Sequence, residues 1–309
     1  MEKFLAVLQI ILPIFAAIAL GILARKKQIL SPQGNRGLQQ FVSDFGLPCL
    51  LFNSCLGCDL GAESVSSMII VLPMLLLSAF WAFRARKKQF PYHNLPIAFC
   101  AQESGMLGIP LYMTLFGAAQ AYRMGVLDMI QALVAIPVIA ILTCDPGDTP
   151  GVGAIVKKVI RSPLLIMSLL ALVLNFSGAM DWLNSQGIGA LITDTTSFIA
   201  APVSAVVLFS VGYNFSIGQG NRKQIFRLCL LHFGYFTLFG LIGQLALLLV
   251  SDVDALTRWA LLIYTTLPAS YLAPGLGRKE EDATIFSGVC SLLTVVSLVV
   301  FCVIAVIVA

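Results

Sequence analysis

Three carboxylates stand where a carboxylate is hardest to keep. Asp44, Glu103 and Asp128 each fall inside an apolar stretch of about 20 residues, the length that crosses a bilayer as a helix. A charge at the centre of such a helix costs roughly 2.5–3.5 kcal/mol on insertion scales. None of the three can face lipid; each is expected to face the interior or to hold its proton. Glu103 has the most informative neighbours. It lies in the stretch Leu95–Phe116, whose middle carries Gln102, Glu103, Ser104, Gly105, Gly108 and Pro110. Polar and helix-breaking residues at that depth are tolerated only against protein or a water-filled cavity. The stretch is therefore expected to be a broken helix, with backbone N–H and C=O groups freed at the break.

The rest of the chain says what must position that break. Of 309 residues, 59% are hydrophobic and only 11% charged, against roughly 25% charged in a soluble domain. Apolar runs divide the chain into ten expected spans, near 4–24, 36–57, 65–83, 94–116, 121–143, 163–180, 191–213, 225–250, 257–276 and 284–308. The period-two alternation of a β-barrel is absent, so the fold class is an all-α polytopic membrane protein. The first span is not read as a cleavable signal, because its positive cluster, Arg25, Lys26 and Lys27, follows the apolar run. Lys and Arg gather on the cytoplasmic side of membrane proteins. Here 16 of the 19 fall in alternate loops, with Lys3, Arg123 and Arg258 on the other side. That pattern puts both termini outside the cytoplasm and makes the net charge of +4 a loop asymmetry, not a nucleic-acid surface. Cys55 and Cys58 form a C-x-x-C pair without a second pair to complete a metal site. The other cysteines are scattered, so no metal or organic cofactor is expected.

The longest loop, 144–162, contains two Pro-Gly or Asp-Pro-Gly clusters and reads as a cytoplasmic linker. It separates five spans (1–143) from five (163–309), so the second half enters the membrane upside down relative to the first. Matching features support a repeat. Span two has Phe45-Gly-Leu-Pro48 and span seven has Ile199-Ala-Ala-Pro202; span four has Glu103-Ser-Gly-Met-Leu-Gly-Ile-Pro110 and span nine has Leu267-Pro-Ala-Ser-Tyr-Leu-Ala-Pro274. Paired interruptions at corresponding places of inverted halves mark a midplane binding site.

If spans four and nine both break and cross, the helix N-termini so created carry roughly half a positive charge each and attract an anion without a buried Lys or Arg. None lies deep in any span. The candidate substrate-binding residues are Gln102, Glu103, Ser104, Gly105 and Pro110 from span four, with Thr266, Pro268, Ser270, Tyr271 and Pro274 from span nine. Glu103, Asp128 and Asp44 are the candidates for binding a coupled ion, H⁺ or Na⁺. His232 is read as a packed neutral histidine, Tyr213 and Asn214 as an interfacial anchor, and Asn175 as an interhelical hydrogen-bonding group.

These motifs resemble a known family. Ser104-Gly-Met-Leu-Gly-Ile-Pro110 is similar to the Asn-x-Gly-x-x-Gly-x-Pro signature of the auxin efflux carrier family, Phe45–Phe52 to its second-helix motif, and Leu267–Pro274 with the following Arg-Lys-Glu-Glu-Asp to its ninth helix and loop. The resemblance implies two inverted five-helix repeats with crossed helices four and nine. It further implies a scaffold of helices 1, 2, 6 and 7, a transport domain of helices 3–5 and 8–10, a homodimer, and export or exchange of organic anions. Sodium-coupled bile acid symporters are related. One position departs: where the signature has Asn, this chain has Glu103. An ionised Glu repels a carboxylate, so Glu103 is protonated when substrate binds, or holds a cation, or the substrate differs.

The expectation is therefore a secondary transporter of a small organic anion in the cytoplasmic membrane, working by an elevator-like movement, with membrane lipids as its other partners. The alternatives are a symporter of the bile acid type and a non-transporting membrane sensor. An intramembrane enzyme would need a constellation such as paired Asp or Ser with His, and no such motif appears.

Overall fold

The computed structural model describes residues 2–58, 62–143, 151–215, 221–249 and 253–308. Among these, every regular element is helical. The first half contains α1 (Glu2–Lys26), α2 (Pro32–Phe41), α3 (Leu47–Leu56), α4 (Ala62–Lys88), α5 (Leu95–Cys100), α6 (Ile109–Phe116) and α7 (Ala121–Thr143). The second contains α8 (Val152–Ile160), α9 (Pro163–Phe176), α10 (Ala179–Ser185), α11 (Ile188–Ala200), α12 (Val203–Asn214), α13 (Arg222–Leu249), α14 (Ala255–Thr266) and α15 (Glu280–Val308). Residues 144–150, the first part of the expected linker, lie outside the described residues; the rest of it includes α8.

Six helical stretches are long and apolar enough to cross a membrane: Val7–Lys26, Val65–Lys88, Ala118–Thr143, Ile188–Asn214, Arg222–Leu249 and Glu280–Val308. The pair α9 and α10, bent by 77°, would make a seventh. Expected spans two, four and nine do not qualify, because each is divided. In span two, α2 is polar (Gln33, Asn35, Arg36, Gln39, Gln40) and joins α3 through a π-helical turn, Val42–Gly46. In span four an extended segment separates α5 from a second π turn, Ser104–Gly108. Span nine stops at Thr266, and only a 3₁₀ turn, Pro274–Leu276, follows before α15.

Both π turns end just before an Xaa-Pro pair, Leu47-Pro48 and Ile109-Pro110. A proline ring clashes with the carbonyl four residues back and has no N–H for it. Widening the preceding turn to i→i+5 bonding, Leu47 N–H to Val42 O and Ile109 N–H to Ser104 O, lets the helix continue through the proline.

The surface is the apolar part. Val173, Phe198, Leu245 and Leu249 are largely exposed, whereas Asn94, Gln102, Glu103, Ser104, Gln131, His232, Thr294 and Ser297 are buried. Lipid accepts the first set; the interior supplies partners for the second. The densest helix packing runs in two sets, which also touch where α3 meets α7, α1 meets α15 and α12 meets α6. In one, α1 packs on α12, α12 on α2, and α3 on α9 and α11; in the other, α4 packs on α5 and α7, α13 on α14 and α15, and α14 on α7. The closest crossing is α1 on α12. A Cβ on Gly21 would stand 1.9 Å from Phe209 O, and one on Gly212 would stand 2.0 Å from Ile18 O, so only glycine lets the two backbones meet there. Arg25 then donates to the carbonyl of Phe215 at 3.0 Å, satisfying a group at the end of α12.

Candidate functional site

Two chain breaks meet in the interior. Between α5 and the π turn the helix opens, with Ala101 extended and Glu103 at a bend; after α14 the chain leaves the helix again at extended Leu267, and Gln102 faces Ala269 in an antiparallel bridge. The Glu103 N–H donates to Pro268 O and the Ser270 N–H to Ala101 O, both at 2.9 Å. Buried backbone groups must be paired, and no water replaces a lost partner in a bilayer core. Here each break supplies what the other lacks.

The remaining freed groups are held by one side chain from α7. Gln131 accepts from the Gln102 N–H (2.7 Å) and from Tyr264 Oη (2.7 Å), and it donates to Gln102 O (2.8 Å) and Ser104 Oγ (3.1 Å). Glu103 O accepts from the N–H groups of Leu107 (3.1 Å) and Gly108 (3.0 Å). Gly108 leaves room for the other break: a Cβ there would stand 2.7 Å from Leu267 Cδ1. Gln102 turns its side chain away from Gln131. With its amide nitrogen toward the second break, it donates to the carbonyls of Leu267 and Pro268 at 3.1 Å. The ring of His232 lies against the same amide and between Phe99 and Phe236, a packed histidine as expected.

The predicted site residues separate into two tiers. Glu103 and Asp44 line a cavity of about 310 Å³. Tyr271 lines that cavity and a neighbouring one of about 710 Å³, which Pro274 also lines. Both spaces share Gln39, Asn214, Tyr271 and Leu272 and so adjoin. Glu103 is only 7% exposed, and its Oε2 accepts from the Tyr271 N–H at 2.6 Å. Gln102, Ser104, Pro268 and Ser270 instead make the junction behind the cavity. Pro110 begins α6, and its carbonyl accepts from Thr114. The Thr266 hydroxyl is used by Ile263 O, and its carbonyl by Ser297 (2.5 Å).

Asp128 lines neither cavity. It accepts a short hydrogen bond from Ser104 Oγ and its carboxylate oxygens lie 3.6 Å from the Cβ position of Gly105. It therefore caps the first turn after the break, as an N-cap residue does from within its own helix. The expected second helix end also differs: span nine resumes as a 3₁₀ turn of three residues, too short to build a helix dipole. An anion in the cavity would lack that second positive end.

Sequence reading missed other residues. Arg36, counted only among the topology-setting charges, lines the larger cavity with Gln39, Asn214, Ser287, Ser291 and Thr294. Asn214, exposed at the end of α12, accepts from buried Asn35 at 3.1 Å. Tyr213 donates to Leu30 O (2.8 Å). The signal available was the polar run Gln33–Gln40, too hydrophilic for the membrane face of a span. Asn175 does bond between helices, donating to the carbonyls of Cys55 (3.3 Å) and Cys58 (2.8 Å).

Residues 6–145 match the family model described as membrane transport protein. Over this stretch, a little under half of the chain, it is similar to that family. The match covers the motifs at Phe45–Phe52 and Ser104–Pro110, which carry the resemblance to the auxin efflux carriers; the third, at Leu267–Pro274, lies beyond it. No curated protein matches the chain. The membrane-length helices together with this match indicate an integral membrane protein, and the matched family is one of transporters, consistent with the reading that the chain is not an enzyme.

Proposed function

We propose that the protein is a secondary transporter that moves a small organic carboxylate across the cytoplasmic membrane by an elevator-like displacement of one helix bundle against another. The observation that carries this is a cavity beside two mutually hydrogen-bonded chain breaks, at the seam between the two packing groups. In this reading ten segments cross the membrane as inverted repeats, 1–143 and 163–309. The group α1–α3 with α9–α12 is the scaffold, and α4–α7 with α13–α15 is the moving unit. Asp44, Gln39 and Asn214 belong to the first; Glu103, Tyr271 and Thr294 belong to the second. Volumes of roughly 300–1,000 Å³ are usual for small-molecule sites, and both spaces fall in that range.

The larger cavity is lined by Pro32 and Arg36 of α2, Phe215 after α12 and Leu276 before α15, segments that adjoin the basic loops, and its mouth is read as opening on their side. By the positive-inside rule the mouth is cytoplasmic, the termini are outside, and this is the inward-facing state. Glu103 is the coupling residue, binding H⁺ or Na⁺ whenever the substrate brings no positive charge of its own, while Asp128 serves the break. The experiment is flux of labelled mono- and dicarboxylates in proteoliposomes, with Glu103→Gln beside the wild type. The variant is expected to lose the dependence of flux on pH or Na⁺; an unchanged dependence would remove Glu103 from coupling. For the movement, Leu272→Cys in a background without the native cysteines is expected to label from either side of the membrane in a substrate-dependent way. Labelling from one side under all conditions would exclude the elevator.

A further inference from the structure

The two adjoining cavities carry opposite charge. Among the described residues, the smaller is lined by Asp44 and Glu103 with no basic side chain, and the larger by Arg36 with no acidic one. Among the described residues none of the three is ion-paired within the protein. Glu103 is nine-tenths buried, and a buried charge without a partner is strongly disfavoured. Its carboxyl accepts from the Tyr271 N–H and meets the Ser270 hydroxyl; among the described residues neither these nor any other partner brings it a positive charge. A plain dicarboxylate answers this arrangement only with a proton or a metal ion bound first, because one of its ends would otherwise meet two carboxylates. The position also matters: where the family signature has an amide, able to donate to an anion, this chain has Glu103, which when ionised only accepts.

Resting on the transport reading, we propose that the substrate is amphoteric, a small aminocarboxylate whose ammonium group lies between Asp44 and Glu103 and whose carboxylate faces Arg36. An ammonium has three N–H donors and no acceptor, which suits two carboxylates from opposite walls. A guanidinium matches a carboxylate in a planar, two-bond geometry. Gln39 and Asn214, common to both cavities, can donate to or accept from the polar middle of such a molecule. The ammonium also links the two packing groups, since Asp44 comes from one and Glu103 from the other.

Matched pairs that differ only in the amine test this: succinate with aspartate, glutarate with glutamate, and butyrate with 4-aminobutyrate. Binding is read by thermal stabilisation of the full-length purified protein, and transport by counterflow in proteoliposomes. At least one amino member is expected to bind ten-fold or more tightly than its partner. Asp44→Asn is expected to erase that preference, and Arg36→Gln to weaken both members of the pair alike. Equal or tighter binding of the plain acids by the wild type overturns the inference, as does binding by none of the six. It is overturned too if a plain acid binds only with Na⁺ and Asp44→Asn removes that requirement, because the cation is then a metal ion. Preferred binding without counterflow upholds the substrate class and defeats the transport reading; counterflow of plain acids without preference does the reverse.

Discussion

Gln131→Leu is the substitution that most directly tests how the break is held. Leucine nearly fills the same volume but offers no hydrogen bond. Four bonds disappear: to the Gln102 N–H, to Gln102 O, to Ser104 Oγ and to Tyr264 Oη. Interhelical hydrogen bonds in membrane proteins average about 0.6 kcal/mol each, which sets a floor of about 2 kcal/mol. The ceiling is higher, because the Gln102 amide and carbonyl are then buried with no partner, at about 1–3 kcal/mol for each orphaned group. We expect a loss of about 2–5 kcal/mol, measured by equilibrium unfolding in mixed micelles with increasing SDS. Substrate affinity should fall with it, because the neighbouring Glu103 loses its fixed backbone. A second variant, Gln131→Glu, keeps the acceptors for the Gln102 N–H and Tyr264 and should recover part of the loss. If Gln131→Leu unfolds within about 0.5 kcal/mol of the wild type, the size of an ordinary surface substitution, the junction is not held by this side chain.

Three further outcomes are expected. Gly212→Ala should force α1 from α12 against Ile18 O and cost about 1–3 kcal/mol, the range for overpacking, in the same unfolding assay; no change would mean the crossing is not tight. Asp254, outside the spans, is paired with Arg123 at 2.5 Å and caps α14 by accepting from the Thr257 N–H at 2.7 Å. Burial alone would raise its carboxyl, but the Thr257 bonds and Arg123 outweigh that and hold it below the ordinary value of 3.8. The stabilisation is thus fully present above about pH 3.8 and lost as pH falls through the lower folded value. Asp254→Asn should flatten that acid-side loss in thermal melts, and an unchanged acid limb would show that the pair contributes nothing. Finally, Asn175→Leu should remove the side-chain donor to the carbonyls of Cys55 and Cys58, of which Cys55 keeps a backbone donor in the Cys58 N–H, and lower stability by about 1–2 kcal/mol, the model-peptide range for such bonds.

What the sequence disclosed followed from local rules. Apolar run length located the helices, and the polar island around Glu103 located the first break. The position of that break was less legible. Pro110 looked like the interrupting residue, yet a proline in a helix's first turn is tolerated because its missing N–H is not needed there. The chain actually opens at Ala101–Glu103, where nothing in the local residue types demands extension. That conformation is set from outside, by Pro268, Ser270 and Gln131, and long-range partners leave no local signature. Arg36 was hidden for a related reason. A basic residue between spans satisfies the topology rule, and only the polar face of α2, folded beside α12, turns it toward a cavity. Asp128 was legible as an interior carboxylate but not as a cap, since it serves a turn more than twenty residues earlier in the chain.

The pairing of Ala101 and Glu103 with Ser270 and Pro268 also constrains how the protein can be made. When the fourth segment leaves the ribosome, its groove of open amide and carbonyl groups has no complement, and the complement is encoded some 165 residues later. Until then that segment cannot settle into lipid as a finished element. It must wait in a wetter place, at the insertion machinery or the headgroup layer. Biogenesis is therefore not a simple sequence of completed hairpins: the first half matures only when the last quarter of the chain arrives, and a product truncated before Leu267 would present an unfinished surface to membrane quality control.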